Sequence, residues 1–235
     1  MSSRLPETDL ANWAFLPAFK KREALDRFIL PKKIRGTYEP FRSVFGDVVN
    51  KQLPLLGDQK STPWSVIESE LQRRCRSKPD SLKMNLEIAH ATHTFIEQNS
   101  ITAMPVDVTS LAFGTGHLYQ FGISLLLRYP DRTVAVFLDL RRTNYLSVEG
   151  RDFVFSSMHE RFRTAYPDLA DIGLQIFRYR NDKSRTVVPI DVLKPTHSLD
   201  ELAFDVRETY EIYNSVLRGD EDRKRRSGGG IGSLL

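Results

Sequence analysis

"YQFGISLLLRYPDRTVAVFLDL", residues 119 to 140, changes period twice within twenty-two residues. Tyr119, Phe121, Ile123, Leu125 and Leu127 fall on every second position. Pro130-Asp131-Arg132 interrupts, and Val134, Val136, Leu138 and Leu140 resume the same alternation. A two-residue period places every second side chain on one face of a pleated strand, so the stretch predicts two strands joined by a turn. Met104 to Phe113, followed by Gly114-Thr115-Gly116, supplies a preceding strand and its turn. The three together predict an antiparallel β-meander.

Outside the meander the period is helical. Downstream, a helix is expected from about Gly150 to Tyr166, with Phe153, Met158 and Phe162 on its apolar face. Gly173 to Tyr179 and Thr186 to Val192 read as a hairpin turned at Asn181-Asp182, and Ser198 caps a last helix running to Leu217. Upstream, Asp80 or Ser81 opens a helix through Leu82, Leu86, Ile88, Phe95 and Ile96. Thr62-Pro63 starts another over Trp64 to Arg76. Residues 1 to 50 carry aromatics broken by Pro17, Pro31, Gly36 and Pro40, which favours short helices, the best being Lys20 to Ile29. The expected fold is therefore α+β: a helical N-terminal region (1–80), an α+β domain (81–218) with its meander core flanked by helices, and a disordered tail (219–235) of charged and then glycine-rich sequence.

Composition limits what such a fold does. The chain has 235 residues, 40% hydrophobic and 27% charged, which allows a sizeable core. Its longest apolar runs fall far short of the roughly 20 residues of a membrane span, and the N-terminus lacks an apolar secretory segment, so a cytoplasmic protein is expected. The formal charge of +4 is mild and resides in clusters such as Lys20-Lys21-Arg22 and Arg73 to Lys78. Such clusters suit phosphate, an acidic protein or water. The single cysteine, Cys75, excludes an internal disulfide. Its arginine neighbours favour a reactive thiolate, against the plainer reading of a half-exposed helix residue.

Catalytic constellations are incomplete. Glu87, His90 and His93 have one Glu-x-x-His spacing but no second one to complete a carboxylate-bridged metal site. His159-Glu160 begins like a zinc-protease helix, but Arg163 stands where the second histidine belongs. The element order also matches PD-(D/E)XK nucleases, yet Asp139-Leu140-Arg141 carries arginine in the lysine position. Glu87 and Asp107 complete an acidic set only by bending that pattern. No catalytic residue, cofactor or metal is expected.

One short motif is complete. Gln52-Leu53-Pro54-Leu55-Leu56 matches Gln-Leu-x-Leu-(Phe/Leu), which resembles the peptide by which bacterial replication proteins dock on the β sliding clamp. Docking in an apolar groove needs a side-chain amide for the rim and leucines for the pockets. Gln52 supplies the first; Leu53, Leu55 and Leu56 supply the second. Pro54 favours an extended chain and so lowers the ordering cost. The competing reading packs these leucines into the protein's own core. With this motif in a basic α+β chain of this size, the sequence resembles the SocB family of toxins from SocA and SocB toxin–antitoxin pairs. That resemblance implies competition with polymerase for the clamp, arrest of replication elongation, and control by a SocA-type antitoxin acting as adaptor to the ClpXP protease. Lys51, Lys60 and Arg73-Arg74 are candidates for added clamp contacts, and Arg223 to Leu235 for the degradation signal. A nuclease-like or nucleic-acid-binding protein recruited to the clamp is the alternative.

Overall fold

The computed structural model describes residues 3–30, 37–53, 60–77, 79–192 and 194–228, with side chains to residue 220. The elements are α1 (Glu7–Ala14), α2 (Ala18–Ile29), α3 (Glu39–Val48), α4 (Trp64–Arg74), α5 (Pro79–Gln98), β1 (Thr102–Pro105), β2 (Leu111–Ala112), β3 (Leu118–Tyr119), β4 (Leu125–Arg128), β5 (Thr133–Asp139), α6 (Val148–Met158), β6 (Gly173–Tyr179), β7 (Val187–Asp191) and α7 (Leu199–Gly228). The α+β class is as expected. Ser198 forms a reciprocal cap: its backbone N–H donates to Glu201 Oε2 at 2.8 Å, and its hydroxyl oxygen accepts from the Glu201 N–H at 3.4 Å. The helix this starts continues to Gly228, past the expected end at Leu217.

The sheet is larger and less uniform than a meander. Its order is β1-β4-β5-β6-β7. β1, β4 and β5 pair antiparallel as expected, but β5 and β6 run parallel in register from Val134↔Gly173 to Asp139↔Arg178. A parallel pair needs a crossover, and α6 provides it. The expected strand Met104 to Phe113 is two pieces, because β2 leaves the main sheet to pair with β3 around the Gly114 and Gly116 turn, where both glycines have positive φ. The expected strand Tyr119 to Leu127 is likewise broken at Gly122, whose φ is +93°. An added Cβ there would stand 3.0 Å from the Phe162 ring.

β5 divides the interior. Ala135 and Phe137, with Leu126, Leu174 and Ile176, face a core closed by α1, α2, α6 and α7. Val134, Val136 and Leu138, with Leu127, Phe177 and Tyr179, face a second core closed by α3, α4 and α5. Residues 1–80 therefore do not pack as a region of their own, since α1 and α2 lie on one face and α3 and α4 on the other. Side chains from Val134 to Asp139 are all buried, which is why this strand reads as a continuous apolar run as much as an alternating one.

Helix α6 passes into a π-helical turn, His159–Thr164, in place of the uninterrupted helix expected to Tyr166. The altered winding aims Arg161 inward, where it is buried. Its Nε donates to Thr109 O at 2.9 Å, and its Nη1 to Gln120 O at 2.9 Å and Gly122 O at 2.7 Å. Burial lowers the basicity of this guanidinium, and the carbonyls it gathers offset part of that cost. Arg161 thereby holds the two irregular segments that interrupt the expected strands. Replacing it with methionine leaves those carbonyls unpaired and is expected to cost about 2–4 kcal/mol in urea unfolding.

Candidate docking segment

The expected docking peptide begins where α3 ends. Phe41, Val44, Phe45 and Val48 bury one face of this helix in the second core. Termination is set by Asn50, which adopts φ +52°. The Lys51 N–H then bonds to Gly46 O at 2.9 Å and the Asn50 N–H to Asp47 O at 3.3 Å, which together satisfy the last free carbonyls of the helix. Asparagine tolerates this left-handed geometry better than other side-chain-bearing residues.

The chain next joins the sheet edge. Lys51 forms a parallel bridge with Ala103 of β1. The Ala103 N–H donates to Asn50 O at 3.2 Å, and the Gln52 N–H to Ala103 O at 2.7 Å. The Gln52 side-chain Nε2 donates to Asn50 Oδ1 at 2.7 Å. Leu53 is 38% exposed and belongs to neither core. Pro54, Leu55 and Leu56 lie outside the described residues. The chain is again described from Lys60, which is exposed, and α4 begins at Trp64 after Pro63, with no side-chain cap from Thr62. Between the two ends lies a recess lined by Asn50, Ser61, His93, Ile101 and Thr102.

The candidates for added clamp contacts differ in freedom. Glu70 accepts from Arg73 Nε at 2.7 Å and Nη2 at 2.6 Å, and from Arg74 Nε at 2.7 Å. Hydrogen bonding from Arg73, then Arg74, holds the Glu70 carboxyl at about 2. Arg73 and Arg74 are thus already neutralised in part. The same helix end corrects both expectations for Cys75, which is 2% exposed, with burial and then the Glu39 charge raising its thiol pKa.

The residues weighed for catalysis have other partners. Glu87 pairs with Arg142. Trp64 packs edge-on against the His90 ring with centroids 4.9 Å apart and lies 5.7 Å from that of His93, while His93 Nδ1 is 3.4 Å from Glu97 Oε2. Asp139 is buried and its Oδ2 accepts from the Leu146 N–H at 2.9 Å; burial raises its pKa. Arg141, in the lysine position of the nuclease pattern, is held by Asp9 of α1 through two bonds of 2.7 and 2.6 Å. Asp107 is exposed in the β1–β2 loop. Among the described residues no group of three or more His, Cys, Asp or Glu is placed to hold a metal ion.

The family described as "Sliding clamp-binding bacterial toxin SocB" matches residues 8–225, nearly the whole described chain. The chain belongs to the SocB family. It is 31% identical over 234 residues to "DNA replication inhibitor toxin SocB" of Caulobacter vibrioides (strain NA1000 / CB15N), an alignment covering 97% of this chain and 95% of the relative. No solved structure matches. Among the described residues no helix is long and apolar enough to cross a membrane.

Sequence reasoning missed Asn50 and Ala103, which aim the segment in this SocB-family chain. Asparagine just after a run of buried helix positions is a stop signal that identifies the first; nothing in the sequence marks the second. If Asn50 sets the exit path by its backbone geometry, Asn50→Gly is near neutral. Asn50→Val, which forces a β-branched residue into left-handed backbone, is expected to cost about 1–2 kcal/mol in thermal or urea unfolding.

Proposed function

We propose that this chain inhibits DNA replication by occupancy: it docks Gln52, Leu53, Leu55 and Leu56 on the β sliding clamp and competes there with polymerase and other clients. The observation that carries this reading is that a SocB-family chain leaves its sheet edge at Gln52 with Leu53 outside both cores. A peptide leaving an anchored strand pays less ordering entropy on docking than one drawn from a mobile tail. Each leucine buried in the clamp contributes about 1.5–3 kcal/mol, so three of them and the Gln52 amide support micromolar binding after costs. Lys51 and Lys60 flank the peptide and suit added contacts with an acidic clamp surface; Arg73 and Arg74 suit it less, being paired with Glu70.

This mode of action is not enzymatic and places the protein in the cytoplasm, where the clamp works. Control fits the same scheme. A SocA-type antitoxin serves as adaptor and delivers the chain to ClpXP, with Arg223 to Leu235 as the degradation signal.

Growth arrest and binding to purified clamp test the reading together. Gln52→Ala/Leu55→Ala should abolish arrest and weaken clamp binding by about tenfold or more. Glu87→Gln/Asp139→Asn, which removes the acids of the nuclease reading, should retain both. A docking variant that still arrests growth, or an acid variant that binds clamp but is inert, would overturn occupancy.

A further inference from the structure

The bridge to β1 holds the first residue of the proposed docking peptide by its backbone, and a second contact holds its side chain. The Gln52 N–H donates to Ala103 O at 2.7 Å and the Ala103 N–H to Asn50 O at 3.2 Å, so residues 50 and 52 are fastened to the same residue of β1. Within that frame the Gln52 side chain turns back along the chain. Its Nε2 donates to Asn50 Oδ1 at 2.7 Å and lies 3.4 Å from Asn50 O, a longer and weaker contact. Gln52 is half-buried there.

The acceptor in this contact is itself held in place. Asn50 is fixed at φ +52° where α3 ends, with its N–H on Asp47 O and the following Lys51 N–H on Gly46 O. Lys51 also lies back on the helix: its Cδ and Nζ are 3.5 and 3.7 Å from where a Cβ on Gly46 would stand. Lys51 and Gln52 are thus both turned toward α3 and its end. Glycine is the usual residue for a left-handed helix stop, and it would end α3 as well. What asparagine adds is the carbonyl that holds Gln52.

On the docking reading proposed above, on which this inference rests, the Gln52 amide has to donate and accept at the rim of the clamp groove. A primary amide carries its two donors and its acceptor in one plane, so a bond at one hydrogen orients the whole group. We infer that Asn50 is an internal competitor for Gln52: its side-chain carbonyl holds the amide in the free chain and must release it before the peptide seats on the clamp. Asn50 therefore sets clamp affinity through Gln52 without touching the clamp. A neutral hydrogen bond exchanged against water is worth little net, so the contact holds affinity about two- to tenfold below that of a chain with Gln52 released.

The test is the affinity of the full chain for purified clamp, measured by surface plasmon resonance in a double-mutant cycle between positions 50 and 52. Asn50→Gly keeps the left-handed backbone and removes the acceptor. It should bind clamp about two- to tenfold more tightly than the parent, with the midpoint of urea unfolding unchanged. Asn50→Asp supplies a charged acceptor that holds the amide harder, and should bind more weakly than the parent. Gln52→Ala removes the group being held, so on that background neither Asn50 substitution should change affinity. Asn50→Gly binding no more tightly than the parent would overturn the inference. An equal gain on the Gln52→Ala background would also overturn it, by tracing the effect to a loosened backbone. If Gln52→Ala itself binds clamp as the parent does, the docking reading fails and this inference with it, whereas a failure confined to the Asn50 variants leaves docking at Gln52 in place.

Discussion

β5 is buried on both faces, and that constraint organises the molecule. Val134, Val136 and Leu138 close one core while Ala135 and Phe137 close the other, so neither helical layer is complete without the strand between them. Its parallel partner β6 requires α6 as a crossover, and α6 in turn carries the π-helical turn that points Arg161 at the carbonyls of residues 109, 120 and 122. The irregular segments are therefore consequences of the central pair.

The proposed docking segment begins at the far edge of the same sheet. β1 is an edge strand with one side free, and Asn50 to Gln52 bond to that side only at Ala103. An exposed strand edge invites pairing. Here a single short bridge at Lys51 occupies it, and Leu53, two residues on, lies outside both cores. Helix termination and edge pairing are thus successive steps along Asn50 to Gln52, and the proposed docking peptide follows directly from them.

Much of this was legible in the sequence. Period-two alternation marked β4 and β5, and the turn at Asn181-Asp182 marked the β6–β7 hairpin. Ser198 marked its helix, because these signals are local. The split of 104–113 into β1 and β2 was not legible, since it depends on Arg161, some fifty residues away, gathering carbonyls that a regular ladder would have used. Nor was the parallel β5–β6 pairing, which is a choice between long-range partners of similar apolarity. The Gln52 to Leu56 pattern could be proposed as a docking peptide from the sequence because such peptides are contiguous, and of it the structure describes only Gln52 and Leu53.

The central proposal is that clamp binding resides in residues 52–56, which follow the bridge at this sheet edge. Competition measures it most directly: the full chain is bound to purified clamp and challenged with a synthetic peptide of residues 50–59. The account predicts complete displacement, with the peptide weaker than the full chain by the value of its anchoring. A peptide that fails to displace the protein at saturating concentration would show that the chain reaches the clamp through another surface.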